Sequence, residues 1–481
     1  MKAPRIGVAA LAGLLSLGAI GPVAATAPSQ AAALAQAAGA VDPAVAQFEV
    51  NGLEVILKSR PGSQTVAAGL FIKGGSQNVT PATAGLEALM LDVATEASEH
   101  YPLAQFRREL ARTGTVVSSG INYDYSAFTL GCTRDHFDSA WALFTDAALH
   151  PSFLASDFTR VRDRRLVGLE GADDVAEGAL ATLMSDVIYA HHPYAADPSG
   201  TLESVRSLTV DDMKALHKRL MVTSRLLLVM VGDLTPADVR AKVQAAFGAV
   251  PKGDYRWAPP PTLAFDAPTV LVRSRDLPTN YIQGVYGAPS PASEDLDAMR
   301  IANAVLRGRV FDAVRTRRAL SYAPDAFLSS QAANIGGVSV TAVDVNQTVS
   351  VMLREIDRLR TREAPDEEVH DTIRQFLTTY YVGQETNAAQ AGTLANAELI
   401  GSGWKSAETL LDRITAVTPA DVRRVAARYM RNLQFVVLGP ATDVDKSIFL
   451  QGGGLVPAGA PAAPVFAFPP PRVAVAAAGA R

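Results

Sequence analysis

Apolar positions along the chain follow two rhythms. Short runs rich in branched and aromatic residues, such as Val66 to Ile72, Ser126 to Leu130, Leu226 to Val231 and Phe435 to Leu438, read as strands. Elsewhere the apolar residues recur at three and four positions. Leu86, Leu89, Met90, Val93, Ala94 and Ala97 predict an amphipathic helix from about Ala84 to Ser98 with one face in the core. Asn51-Gly52, between Phe48-Glu49-Val50 and Leu53 to Leu57, is a hairpin turn signal. Strands, long helices and hairpins mixed in this way predict an α+β layered structure.

The order of elements is written twice. Thr209-Val210-Asp211-Asp212 leads through a helical stretch to the strand at Leu226 and then Gly232-Asp233; Thr418-Pro419-Ala420-Asp421 leads likewise to Phe435 and Gly439-Pro440. The copies lie 209 residues apart, which points to an internal duplication. In each, the Thr is placed to cap a helix whose first turn carries the Asp. The same cap recurs at Thr235, so the order of elements carries the argument. Phe71 to Gly75 before one helix is echoed by Val285 to Ala288 before another. The expected organisation is an amino-terminal half, 46–250, a Pro-rich linker, 251–268, around Trp257-Ala258-Pro259-Pro260-Pro261, and a carboxy-terminal half, 269–445.

Outside these halves, Lys2 and Arg5 precede an apolar stretch to about Val23 and the small residues Ala25-Thr26-Ala27, the pattern of a secretory signal over 1–27. The expectation is an exported protein, periplasmic or extracellular, with no membrane contact after signal cleavage. Residues 451–481, with Gly452-Gly453-Gly454 and Pro469-Pro470-Pro471, read as a flexible tail.

Composition narrows the chemistry. With 48% hydrophobic and 19% charged residues among 481, the chain can bury a large core. Lys and Arg number 44 against 48 Asp and Glu, so bulk charge gives no reason to expect a nucleic-acid partner. A single cysteine, Cys132, excludes an intrachain disulfide framework, a Cys-ligated cluster and any multi-Cys zinc site. Of the seven His, the six other than His100 have no second ligand at metal-site spacing. The nearest candidate is a stripe of Asp92, Glu96 and His100 at i, i+4 and i+8, to be weighed against a solvated helix face.

A resemblance becomes specific at Asn51 to Leu57, Gly69 to Ser76, Gly85-Leu86 and Tyr101-Pro102, and continues through Asp124-Tyr125, His150-Pro151-Ser152-Phe153, His192-Pro193-Tyr194, Gly200-Thr201 and Gly232-Asp233. In that order these segments resemble the insulinase and pitrilysin family of zinc peptidases, which includes the mitochondrial processing peptidases. With the second copy, the likeness runs from Ala46 to Pro440. It implies two homologous α/β-sandwich halves arranged around a substrate cavity. The family holds zinc through H-x-x-E-H on the helix after Gly-Leu. Here the matching positions are Ala88, Leu91 and Asp92, and the third ligand position falls near Gly168, with Glu170 the closest carboxylate. Neither alanine nor leucine can ligate a metal or take a proton, so no cofactor is expected in this chain.

The second half keeps more. Arg315-Thr316-Arg317-Arg318-Ala319-Leu320-Ser321-Tyr322 resembles the family segment whose Arg and Tyr face the active site, and the carried-over pair is Arg318 and Tyr322. The resemblance implies that they bind substrate carbonyls, and that extended peptides add as a strand to the edge at about Ser118 to Tyr123. Some bacterial relatives divide the zinc motif and the Arg/Tyr pair between two chains. The expected function is therefore a zinc-lacking, non-catalytic subunit that completes a zinc-bearing homologous partner. A structural or peptide-binding homologue with no role in proteolysis is the alternative, and a self-sufficient hydrolase using Asp92, Glu96 or His100 the more distant one.

Overall fold

Two sheets organise the residues that the computed structural model describes, 44–440 and 444–451. The first contains β1 (Val45–Val50), β2 (Leu53–Ser59), β3 (Thr65–Lys73), β4 (Val116–Ile121), β5 (Tyr125–Thr133) and β6 (Leu226–Gly232), in the order β1-β2-β6-β3-β5-β4. The second contains β7 (Thr269–Ser274), β8 (Asn280–Gly287), β9 (Asp325–Leu328), β10 (Ile335–Ala342) and β11 (Gln434–Gly439), in the order β7-β11-β8-β10-β9. With β1 set aside, the two orders correspond strand for strand. Each has one parallel pair, β2 with β6 and β7 with β11, beside antiparallel ones. The signal expected over 1–27 lies outside the described residues, as does the tail beyond Gln451.

Local chemistry sets the turns and caps. Asn51 and Gly52 adopt φ of 50° and 80°, the left-handed pair of a type I′ turn, and fix Val50 opposite Leu53. The principal helices of the first half are α1 (Leu86–Ala94), α2 (Leu103–Thr113), α3 (Phe137–Leu149), α4 (Ala155–Asp174), α5 (Ala176–Tyr189), α6 (Val210–Leu220) and α7 (Pro236–Phe247). Those of the second are α8 (Leu296–Phe311), α9 (Val345–Thr361), α10 (Asp366–Gly383), α11 (Asn387–Leu399), α12 (Pro419–Tyr429) and α13 (Lys446–Leu450). Thr209 and Thr418 cap α6 and α12, each Oγ1 accepting from the backbone N–H of the Asp three residues on at 3.2 Å.

Strands β6 and, after Gln434, β11 are continuous apolar runs because both sheet faces are covered there. On β6, Leu226, Leu228 and Met230 enter the core beneath α1, α3 and α6, while Leu227, Val229 and Val231 point the other way. That second face is covered by α11, from the other half, through Ala391, Leu394, Ala395 and Leu399. The arrangement is reciprocal. On β11, Phe435 and Val437 face the second half's own helices, whereas Val436 and Leu438 meet α5 of the first half through Leu180, Met184 and Ile188.

A buried carboxylate ties the exchange together. Asp124, at the turn between β4 and β5, is 2% exposed. Its Oδ2 accepts from the Ala332 N–H at 2.9 Å, and its Oδ1 accepts from the Tyr194 hydroxyl, which itself accepts from the Ala333 N–H at 3.2 Å. Farther along the seam, Asn387 Nδ2 donates to Thr65 O at 2.7 Å and Trp404 Nε1 to Gln47 Oε1 at 2.8 Å.

Two segments gain detail, and one expected helix is shorter. Segment 251–268 has almost no regular structure up to Ala267 but follows a fixed path: Pro251 and Lys252 carbonyls accept from Thr223 and Ser224 N–H, both at 2.9 Å, and Arg225 stacks on Tyr255 at 3.5 Å. The second half runs past 445, because α13 packs Phe449 edge-on against Phe435 at 5.1 Å. Helix α1 ends at Ala94, four residues short of Ser98, as Thr95 Oγ1 turns back to the Leu91 and Asp92 carbonyls and Ser98 pairs with Pro151.

Asp124→Ala leaves buried donors of both halves unpaired. It is expected to lower stability by about 2–4 kcal/mol in a urea titration followed by circular dichroism.

Candidate functional site

Helix α1 begins on Gly85, which at φ 82° lies so close to Gly200 Cα and Ser199 O that a Cβ would sit 2.8 and 2.9 Å from them. The helix therefore enters the core in one orientation. Ala88 and Leu91 are buried at 2% and 1% exposure, and Asp92 stands at the boundary between core and solvent. Its Oδ2 pairs with Arg165 Nη2 of α4 at 2.6 Å, and its Oδ1 accepts from Ser119 Oγ of β4 at 3.1 Å. One turn beyond Arg165, Gly168 has open space where a Cβ would be.

This donor set does not fit zinc. Of the three ligand positions, Ala88 and Gly168 have no ligating side-chain atom and Asp92 has its oxygens committed to Arg165 and Ser119, while Leu91, at the general-base position, cannot take a proton. Glu170 is turned to Arg206 at 2.7 Å on the exposed face. The stripe of Asp92, Glu96 and His100 does not form, because α1 ends before Glu96 and the three diverge. Glu96 is held by Arg107 at 2.7 Å, Arg160 at 2.9 Å and Arg164 at 3.3 Å; burial pushes its pKa up, and the bonds from Arg160 and Arg107 outweigh that and hold it below the ordinary value. His100 Nδ1 pairs with Asp146 at 2.7 Å, which raises its pKa. Among the described residues, no three His, Cys, Asp or Glu side chains are arranged to hold a metal ion.

Beneath α1 lies a group that the sequence pattern did not single out. Glu87 is fully buried, accepting from Ser126 Oγ at 2.5 Å and from Asn78 Nδ2 at 2.9 Å. Burial pushes its carboxyl up to about 7, against the bonds from Ser126 and Asn78 and the charges of Arg225 and Arg219. Arg225 in turn donates to Asn78 Oδ1 at 2.6 Å, so the network runs from α1 to the interdomain segment at Tyr255.

In the second half, α8 runs into a π-helical turn over Asp312–Thr316, and Ala319 takes φ 51° to let the Leu320 N–H reach Val314 O at 3.0 Å. That turn decides which arginine meets Tyr322. A continuous helix would bring Arg318 and Tyr322 onto one face, but the chain has left the helix. Arg318 Nη1 folds back to Ala313 O at 2.8 Å, whereas the Arg315 guanidinium lies 3.9 Å from the Tyr322 ring centroid. Tyr322 is 78% exposed, and the Arg315 guanidinium also lies 5.0 Å from the Phe311 ring centroid.

Strand β4 is the outermost strand of its sheet and pairs with β5 without a bulge, Gly120 included, from Val116 opposite Gly131 to Ile121 opposite Ser126. The open edge stops there. Asn122 Oδ1 accepts from the Asp124 and Tyr125 N–H at 2.8 and 2.9 Å, and Tyr123 stacks on Tyr194 at 4.6 Å.

Two family models match the chain: insulinase (peptidase family M16) over 54–197 and peptidase M16 inactive domain over 207–376. An uncharacterized zinc protease of Mycobacterium leprae is 21% identical over 81% of this chain and 90% of its own length. The mitochondrial-processing peptidase subunit beta of Blastocladiella emersonii is 22% identical over 81% of this chain and 87% of its own. Among solved structures, a peptidase M16 inactive domain from Pseudomonas fluorescens superposes with a TM-score of 0.76 at 18% identity, covering 83% of this chain and 99% of that one.

Two measurements check this geometry. The Glu87 carboxyl binds its proton more tightly folded than unfolded, so the stability it contributes is complete below its ordinary value of 4.5 and is lost as pH rises through about 7. In urea titrations between about pH 5 and pH 8 the loss is on the order of 3 kcal/mol, and Glu87→Gln flattens that slope. Ala319→Gly relieves the left-handed alanine and raises stability by about 1 kcal/mol, read as a higher Tm.

Proposed function

The chain belongs to the insulinase (M16) peptidase family as a member without the family's catalytic side chains, and from that premise we propose that it is a partner subunit. In this reading it joins a zinc-bearing homologue and contributes the Arg315/Tyr322 surface to extended peptide substrates. One observation carries the proposal. The α1 site is closed by the Asp92–Arg165–Ser119 contacts, while Tyr322 stands exposed with a cation stacked on its ring. An uncovered Tyr beside an aligned guanidinium is a surface able to meet an extended substrate. Together the two supply donors for carbonyl oxygens or for a developing oxyanion.

Other features support the same reading. One similar protein is itself named as a subunit of a processing peptidase. The open edge of β4 offers backbone groups to an extended chain, which would bind without its sequence being read. The secretory-signal pattern over residues 1–27 supports a periplasmic or extracellular setting for the assembly. Zinc and the general base would both come from the partner, since Ala88, Leu91 and Asp92 supply neither.

The test is reconstitution with a homologue carrying H-x-x-E-H, assayed with a quenched fluorescent peptide. The chain alone is expected to contain no zinc and to cleave nothing; the mixture cleaves and carries one zinc per pair. Arg315→Ala or Tyr322→Phe in this chain should lower kcat/KM at least about tenfold with assembly intact, and Arg318→Ala should cost much less. Cleavage by the isolated chain overturns the proposal. Activity of the mixture equal to that of the homologue alone also overturns it, and leaves a structural or peptide-binding role.

A further inference from the structure

At one corner of the seam between the halves, the end of α11 meets the first sheet through a closed ring of polar contacts. Gly403, at φ 92°, turns the chain so that the Trp404 N–H donates back to Glu398 Oε2 at 2.8 Å. The Trp404 indole N–H donates to Gln47 Oε1 of β1 at 2.8 Å, and Gln47 Nε2 donates to Glu54 Oε1 of β2 at 2.6 Å. Glu54 closes the ring with a hydrogen bond to the Glu398 carboxyl. Trp404, 4% exposed, is thereby held in the same apolar cluster as Ile56 and Leu399.

The closing contact joins two carboxyls from different halves. One carboxyl oxygen accepts from another only with a proton between them, so the ring is complete when the pair holds one proton and is strained apart when both groups ionise. Nearby lysines do not take the place of that proton. Lys73 Nζ of β3 stands 3.8 Å from Glu54 Oε2, and Lys252 stands 4.0 Å from Glu49, the residue opposite Glu54 on β1. Lys405 lies 5.7 Å from the Trp404 ring centroid, and Lys58 is four residues farther along β2. Strand β6 brings no charged side chain to this face, and Arg256, beside Trp257, is exposed. These acids and bases nearly balance, so contact between the carboxyls, rather than net charge, makes the corner sensitive to protons. Burial and the neighbouring Glu398 charge raise the pKa of Glu54 above its ordinary value, against Lys73 and Gln47.

We propose that this corner is a proton-operated latch: one proton shared by Glu54 and Glu398 fixes Trp404 and the end of α11 on the first sheet, and its loss frees them. The closed corner binds that proton more tightly than the open one. Its contribution to closure is therefore complete below the ordinary Glu54 value of 4.5 and is lost as pH rises through the raised one. Gly401, Ser402 and Ser406 of the same corner line a cavity of about 720 Å³ between α8, α10 and α11, so one wall of that cavity follows the latch. The latch is independent of the partner-subunit role, because it uses neither Tyr322 nor the β4 edge.

The test is hydrogen–deuterium exchange of the full chain, followed in peptides covering 398–406 and corrected for the intrinsic dependence of exchange on pH. Protection at this corner is expected to fall about tenfold between about pH 5 and pH 8, while β11, which reports global opening, changes much less. Glu398→Gln should hold the corner at its acid-level protection up to pH 8, since the amide donates to Glu54 without a proton and still accepts from the Trp404 N–H. Glu398→Ala, which removes both contacts, should lower protection at every pH. Protection independent of pH, a fall shared equally by β11, or a slope unchanged in Glu398→Gln overturns the proposal.

Discussion

Each of the two sheets has two apolar faces, and each half supplies helices enough for only one of them. Everything else in the structure follows from how the second faces are covered. Helix α11 crosses onto the first sheet and α5 onto the second, so Leu227, Val229 and Val231 on one side and Val436 and Leu438 on the other are removed from water by the opposite half. A strand left bare on one face would give up roughly 1.5–3 kcal/mol for each large side chain. The polar seam at Asp124 sits between these apolar patches and sets their register, since its oxygens accept only where Ala332 and Tyr194 stand. Two sheets that share their covering helices behave as one unit, and the spatial relation of the α1 face to the Tyr322 surface is fixed by that sharing.

Within this frame the α1 site has been rebuilt as part of the fold. Arg165 and Ser119 hold Asp92 between α4 and β4, joining α1 to α4 where a metal centre would otherwise join them through its ligands, and adding β4. An ion pair at the edge of the core contributes little net stability. Its effect is geometric: it keeps the outer strand β4 in line with the sheet. Burial of Ala88 and Leu91 does the rest, because apolar side chains need no partner where a ligating imidazole would need a second hydrogen bond.

Much of this could be read from the sequence. Strands such as β6 and β11 announce themselves as continuous apolar runs because both faces are buried, and Asn51-Gly52 fixed its hairpin because few residue pairs accept two left-handed conformations. The capping threonines marked α6 and α12 because the Asp that follows each one closes the box locally. What escaped was decided by distant contacts. The end of α1 depends on Pro151, the path of 251–268 depends on Thr223 and Arg225, and the crossing of α5 and α11 has no local signature. Arg318 was paired with Tyr322 by the resemblance of segment 315–322 alone, which says nothing of how the chain turns between them. The π-helical turn and the left-handed Ala319 put Arg315 there instead, and neither shows in a periodicity count.

The crossing of α11 also imposes an order in time. Strand β6 completes the first sheet at Gly232, yet the helix that covers its second face begins only at Asn387, some 150 residues later. During synthesis the amino-terminal half therefore emerges with a broad apolar surface that nothing in its own sequence can hide. Contacts of such long range slow folding and lengthen exposure to aggregation. A chain built this way completes its native state only after nearly all of it has been made. It is accordingly suited to being kept unfolded by a chaperone until its last fifth arrives.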